Sequence, residues 1–451
     1  MSVPALLPGM AWPALPANSP LPLAALLEQL EALERAPLAA LVSGQERQLA
    51  LLNQHLVAHS PWHRQRLLDA GLDPAAPLTL ATLAHLPPID RRELQAAGAA
   101  LRCAQVPRSH LPVGETSTSG SSGVPVTVWR SALNQLFWLA YTMREHRWWQ
   151  RDVNGRLAII RAGLPQERIQ QDNWGPPASL LGPSGPAHAF SISVDTVTLA
   201  GELAELDPHY LLIYPAALAD LVRHFRQHGG GLAGLREVRT IGETLSNELR
   251  NAAREVLGVE IVDCYSSQEF GVIAVQCPHS GLYHLMAENL IVEVLNDEGQ
   301  PCRPGESGKV VITDLHNLAT PLVRYAVGDH AEVGPPCSCG RHLPTLRRVL
   351  GRTRNMVLYP DGSRRWPLLD FHLHREVAPV QQSQLVQHAA EAIEARLVVE
   401  RPLTASEEAA IAEIICDALG HPFHIEFRYF AERLPLGSGG KFEEFMRTYQ
   451  P

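Results

Sequence analysis

The sequence predicts an α/β protein, with a large N-terminal domain built on doubly wound, mainly parallel sheets and a small α+β domain after it. Three observations carry this. From about residue 156, short apolar runs alternate with amphipathic helical segments, the order that builds a parallel sheet covered by helices. Around 351–367 the composition turns to Arg, Gly and Pro, as in a linker between domains. Beyond it come a strand, a capped helix and another strand.

Residues 23–70 are predicted helical, because Leu26, Leu27, Leu30 and Leu33, then Leu49, Leu51, Leu52 and Leu56, recur at helical intervals with few breakers. This helical N-terminal region extends to about residue 100. Next comes the run Thr118-Ser119-Gly120-Ser121-Ser122-Gly123-Val124-Pro125. Its glycines let backbone approach an anion and turn N–H groups inward, while its hydroxyls donate to phosphate oxygens, so the composition is that of a polyphosphate loop. Neither common nucleotide motif fits, since no Lys-Ser/Thr pair follows Gly123 and the G-x-G-x-x-G spacing is missing.

Leu157 to Ile160, Leu211 to Tyr214, Val238 to Ile241 and Ile261 to Cys264 are predicted strands, with helices over 216–227 and 246–257, the second opened by Ser246. Ligands of a parallel sheet collect at the carboxyl ends of its strands. Gly242-Glu243-Thr244 and Tyr265-Ser266-Ser267-Gln268-Glu269 fall there. After the linker, Arg396 to Glu400 is predicted as a strand. A capping box, Thr404 with Glu407, then starts a helix over 405–419 that Gly420 stops, and alternating Ile425, Phe427 and Tyr429 form a last strand.

The chain has 451 residues and a formal net charge of -9, which argues against a nucleic-acid-coating surface and favours small-molecule chemistry. The apolar N-terminus is broken by Pro4, Pro8, Pro13, Pro16, Pro20 and Pro22 and has no Lys or Arg before Arg35, unlike a secretory signal. No window is long and apolar enough for a membrane span. A cytoplasmic protein without nucleic-acid or membrane partners is expected, and a homodimer is admitted. Seven scattered cysteines do not form a disulfide framework. Cys277 and His284, seven residues apart, together with Cys337 and Cys339 in a C-x-C turn, make a four-ligand set suited to tetrahedral zinc. His279 competes with His284 for the fourth position.

Taken together and in order, these motifs resemble the adenylate-forming superfamily of acyl-CoA ligases, luciferases and peptide-synthetase adenylation domains, and within it the phenylacetate-CoA ligase and coenzyme F390 synthetase branch. Ala58 to Arg64 and Leu86 to Asp90 resemble that branch's helical N-terminal region. Thr118 to Pro125 resembles its phosphate-binding loop, with Val124 where many members carry Lys. Gly242 and Glu243 resemble the segment that lies against adenine. Tyr265 to Glu269 resembles a Tyr-Gly-x-x-Glu motif with Ser266 in place of the glycine; the resemblance implies that Tyr265 packs on adenine and Glu269 holds Mg2+. Arg324 to Asp329 resembles a Tyr-x-x-Gly-Asp motif in which Asp329 accepts the ribose hydroxyls, and Arg352 in Gly351-Arg352 would also reach the ribose. Lys441, in Gly439-Gly440-Lys441, matches the mobile catalytic lysine.

The resemblance implies an N-terminal domain over 1–350, a hinge over 351–367 and a small mobile domain over 368–451 that swings about Arg354. It implies ATP-dependent activation of a carboxylic acid, expected to be aromatic, as an acyl-adenylate, then transfer to coenzyme A. The alternative is transfer to an amine or a carrier protein. Structural zinc at Cys277, His284, Cys337 and Cys339 is likewise implied. Tyr359 to Pro367 stands where coenzyme A ligases of this branch carry a Gly-x-Asn-x-x-Pro loop, which leaves the acceptor open; Arg364 and Arg365 could hold a phosphate of coenzyme A or an acidic carrier.

Overall fold

The computed structural model describes residues 6–117, 126–352, 355–367, 371–431, 434–435 and 443–449. An antiparallel hairpin, β1 (Val113–Ser117) and β2 (Thr127–Ser131), precedes the main sheet. That sheet takes β3 (Leu157–Arg161), β4 (Arg168–Gln171), β5 (Ala187–Ser191), β6 (Tyr210–Ile213), β7 (Glu237–Ile241), β8 (Glu260–Ser267), β9 (Gly271–Gln276), β10 (Tyr283–Leu285), β11 (Leu290–Leu295), β12 (Ser307–Asp314), β13 (Tyr325–Val333) and β14 (Thr345–Arg352). Its order is β11-β12-β13-β14-β10-β9-β8-β7-β6-β3-β5-β4.

The parallel half is β5, β3, β6, β7 and β8, where strand and helix alternate in the sequence. Pro215 at the start of the helix Pro215–His228 supplies a preset φ where no N–H is needed. The helix Asn247–Leu257 is capped by the Ser246 hydroxyl, which accepts from the Leu249 N–H at 3.1 Å, and is closed by Gly258 at φ 69°. From β8 onward the pairing is antiparallel, so the sheet as a whole is mixed. The cause is connection length: three residues join β8 to β9, far fewer than a parallel crossover requires.

Arg324 ties the helical N-terminal region to the sheet. Its guanidinium donates to the carbonyls of Ala84 at 2.6 Å and Leu86 at 2.7 Å and to both oxygens of Glu293 at 2.9 Å, while Ile89 bridges Tyr325. A second buried ion network joins the helix Ala132–Trp148 to β7. Glu145 on the helix accepts from Arg239 Nε at 2.7 Å and from Arg151 at 3.0 Å, and Arg151 Nε also donates to Glu237 at 2.6 Å.

The smaller domain opens with a short hairpin, β15 (Val357–Leu358) and β16 (Arg364–Arg365). Its sheet contains β17 (Val380–Ala389), β18 (Ala392–Val399), β19 (His424–Phe430) and β20 (Phe445–Arg447), in the order β19-β18-β17-β20. The helix Ala405–Leu419 starts at the expected Thr404–Glu407 capping box and ends at Gly420, φ 65°. It buries Ile411, Ile415 and Leu419 against Leu385, Ile393 and Leu397, each side chain contributing about 1.5–3 kcal/mol.

Candidate active site

A cleft of about 1020 Å³ lies between the carboxyl ends of β6, β7 and β8 and the smaller domain, lined by Pro215, Gly242 and Ser266 on one side and by Gln382 and Glu443 on the other. This is where a parallel sheet is expected to present its ligand site. Gly242, Glu243, Tyr265, Ser266, Glu269, Asp329 and Arg352 all line it. Thr118 to Pro125, Arg354 and Lys441 lie outside the described residues. The strands that flank the first of these segments pair with Ser117 opposite Thr127, and Glu443, two positions after Lys441, lines the cleft.

The polar centre of the cleft is Asp329. Register places it directly opposite Arg352 on the neighbouring antiparallel strand, and Arg352 Nε approaches its carboxylate to 3.1 Å. The Tyr265 hydroxyl donates to the other oxygen at 2.7 Å. Tyr265 comes from β8, four ladder steps from β13, which a flat sheet would hold roughly 19 Å away. The antiparallel half therefore curls until β8 and β13 face each other. Burial, then the Asp329 charge, pushes the Tyr265 phenol well above its usual pKa, so it stays a donor. Asp329 in turn raises the pKa of Arg352.

Glu269 follows β8 and is 9% exposed. Its carboxylate takes no hydrogen-bond or ion-pair partner among the described residues, and its oxygens suit a hard cation. Glu243 is differently committed. Its carboxylate accepts from the Ala216 N–H at 2.9 Å, capping the helix Pro215–His228, while Gly242 beside it turns at φ 77°. Arg324, within the same sequence motif as Asp329, is the structural clamp described above and not a cleft residue. The aromatic stretch Phe137 to Tyr141 does not line the cleft: Phe137 and Tyr141, each 1% exposed, pack in the core with Trp148.

One cleft residue escaped sequence reasoning. Asp263, inside β8, is 7% exposed and accepts from Thr240 at 2.7 Å and from the Tyr283 hydroxyl at 2.8 Å, and burial raises its pKa. The signal was a lone carboxylate between Val262 and Cys264 in an apolar strand.

Cys277, His284, Cys337 and Cys339 converge, their ligand atoms all within 4.8 Å of one another. Cys337 Sγ lies 3.8 Å from Cys277 Sγ, the sulfur separation that two bonds of about 2.3 Å to one tetrahedral ion produce, and Cys339 Sγ lies 3.3 Å from His284 Nε2. His284 is fully buried with Nδ1 facing the Leu343 carbonyl at 3.3 Å, whereas His279 is exposed, so the cluster holds His284. Burial raises the Cys277 thiol, but hydrogen bonding from His284 and from the backbone of Ser280 and His279 outweighs it and brings the pKa to about 5. The donor set and spacing fit zinc, and the four residues join the β9–β10 hairpin to the β13–β14 connection.

Comparison with known proteins agrees with this geometry. Residues 181–318 match the profile of the AMP-binding enzymes. The chain is 27% identical over 356 residues to the phenylacetate-coenzyme A ligase of Thermus thermophilus, covering 73% of this chain and 74% of that one. It is 23% identical over 348 residues to the enzyme of the same name from Escherichia coli, covering 73% and 75%. These matches make the chain similar to the adenylate-forming enzymes of the phenylacetate-CoA ligase-like branch. Solved structures share this fold: a 2-hydroxyisobutyryl-CoA ligase in its postadenylation state superposes with a TM-score of 0.72 at 17% identity, covering 92% of this chain and 91% of that one. An anthranilate CoA ligase superposes with a TM-score of 0.54 at 18% identity, covering 72% and 65%. Among the described residues, no helix is long and apolar enough to cross a membrane.

Proposed function

We propose that the protein joins a carboxylic acid to AMP at the expense of ATP, releasing pyrophosphate, and then passes the acyl group to the thiol of coenzyme A. The single observation that carries this reading is the Tyr265–Asp329–Arg352 constellation in a cleft shared by two domains. Asp329 accepts the ribose hydroxyls, Arg352 steadies that carboxylate and reaches the ribose, and the Tyr265 ring packs on adenine beside Gly242. Coenzyme A as acceptor is supported by the relatives named phenylacetate-coenzyme A ligase.

The chemistry asks for positive charge, because a carboxylate must attack the α-phosphorus of a polyanion. Mg2+, held by Glu269, would screen the phosphates and polarise the bond to the leaving pyrophosphate. Lys441 supplies a further cation on a long stem. Its place two positions before Glu443, at most about 7 Å of chain from the cleft wall, supports that role. The acid's oxygen bonds to the α-phosphorus as the bond to pyrophosphate breaks; the coenzyme A sulfur then takes the acyl carbon, AMP leaves, and the thiol proton goes to solvent. Domains over 1–350 and 368–451 with a hinge over 351–367 would let the smaller one turn between these half-reactions. Zinc at Cys277, His284, Cys337 and Cys339 would be structural. The seven cysteines, all free, support a reducing, cytoplasmic setting.

ATP–pyrophosphate exchange over a panel of aromatic, hydroxy and short-chain acids tests the first half-reaction, and thioester formation on adding coenzyme A tests the second. Exchange without a thioester would move the acceptor to an amine or carrier protein. Lys441→Ala should lower exchange by about 100-fold or more while sparing transfer from a preformed acyl-adenylate; equal loss of both would contradict the lysine's role.

A further inference from the structure

Among the described residues, every buried apolar cluster lies wholly in the larger domain or wholly in the smaller one. Two polar contacts instead join them across the cleft. Arg375, on the helix Phe371–Val377, brings Nη1 to 3.8 Å from the carboxylate of Glu248, in the first turn of the helix Asn247–Leu257. Gln382, on β17, donates from Nε2 to the carboxylate of Asp220, in the helix Pro215–His228, at 3.3 Å. All four residues line the cleft.

Both contacts can be made and broken cheaply. The Arg375 and Glu248 side chains are 42% and 30% exposed, so water and salt screen the pair. The charges around Arg375 are mixed: Glu248 and Glu444 favour the guanidinium there, while Arg223 and Arg226 oppose it. Asp220 is shared, because Arg223 also donates to its carboxylate at 3.0 Å. Gln382 is held in place from behind, its Oε1 accepting from the Leu434 N–H at 2.9 Å, which turns the amide nitrogen toward Asp220. The two anchoring carboxylates sit on the helices that follow β6 and β7, the strands whose ends form the cleft. A contact made in one domain orientation and not in another shifts the population toward the first.

We propose that Arg375 and Gln382 are positioning residues that dock the smaller domain for acyl-adenylate formation, gripping Glu248 and Asp220 while the acid and ATP react and letting go when the domain turns for transfer. This rests on the adenylating reading above. It explains why screened, polar contacts stand at this place: a large apolar seam would hold the domain in one orientation through both half-reactions.

The test compares the natural protein with Arg375→Glu, with Glu248→Arg, with both changes together, and with Gln382→Glu, which keeps an acceptor for the Leu434 N–H but faces Asp220 with a like charge. ATP–pyrophosphate exchange reads the first half-reaction, thioester formation from a preformed acyl-adenylate reads the second, and small-angle scattering reads the domain arrangement of the full chain. Arg375→Glu and Glu248→Arg are each expected to slow exchange by about tenfold with transfer within about threefold, and the charge-exchanged pair to restore exchange to within about threefold of the natural protein. Gln382→Glu should slow exchange by about three- to tenfold. Equal losses in the two half-reactions overturn the proposal, as does a paired variant no faster than Arg375→Glu. Should Arg375→Glu not melt like the natural protein, Gln382→Glu decides alone. A natural protein that shows no exchange with any acid sinks the adenylating reading, and scattering then judges the docking by itself: a profile changed by Arg375→Glu and restored in the paired variant supports it, and an unchanged profile overturns it.

Discussion

Asp329 and Arg352 stand opposite each other on adjacent antiparallel strands and close a 3.1 Å ion pair, while Tyr265 reaches the same carboxylate from the far side of a curled sheet. Two donors thus fix one carboxylate, one from a neighbouring strand and one from a strand four ladder steps away.

Removing that carboxylate should damage binding and stability together. Asp329→Ala leaves the buried Tyr265 hydroxyl without its acceptor, at a cost of about 1–3 kcal/mol read from urea unfolding. MgATP affinity should fall by at least about tenfold. Asp329→Asn keeps an acceptor for Tyr265 and should recover most of the stability but not the affinity; an asparagine variant that binds ATP like the natural protein would remove Asp329 from the ribose.

Elemental analysis of purified protein should find about one zinc per chain, held by the Cys277, His284, Cys337 and Cys339 set. Cys339→Ser should release it and lower Tm by roughly 5–10 °C. Cys103→Ser, outside the cluster, should change neither. Less than about half an equivalent of zinc in the natural protein would count against the site.

Glu145 serves two arginines in a fully buried setting. Glu145→Gln leaves them underpaired and should cost about 3–5 kcal/mol in denaturant unfolding. Glu31→Gln breaks the exposed pair with Arg147 and should cost no more than about 1 kcal/mol. Similar losses in the two variants would mean that burial does not set the strength of these pairs.

His63 should make stability pH-dependent on the acid side. It is 2% exposed with Nδ1 bound to the Ser60 hydroxyl at 2.8 Å, and burial, then the nearby Arg66 charge, lowers its pKa to about 3. The unfolded chain takes up this proton near pH 6.5 and the folded chain does not. The His63 contribution therefore falls by about 1.4 kcal/mol per pH unit between roughly pH 6.5 and 3 and is flat above. His63→Leu should show a shallower acid limb by about 2 kcal/mol between pH 7.5 and 5.0; equal limbs would show that folded His63 titrates normally.

Strands β6 and β7 were legible because each is followed by an amphipathic helix, the second capped at Ser246, and the smaller domain because Thr404, Glu407 and Gly420 punctuate its helix. The antiparallel half was not. All six residues of β9 are buried, so the strand lacks the alternation that would reveal a solvent face, and an unbroken apolar run does not say which way its partner points. Local motifs found Tyr265, Asp329 and Arg352 separately, but their contact depends on the curl of the sheet, which is a property of pairings far apart in the chain. Asp263 was missed for a related reason: it is one charged residue in a strand, and only its surroundings distinguish it from a solvated one.

The register between β13 and β14 has a last consequence. A single-residue slip would bring Gly328 or His330 across from Arg352, and the ladder could still close. Such a slip would also turn the buried side chains of β13 to the opposite face, so the register that seats the strand in the core is the same one that holds Asp329 against Arg352.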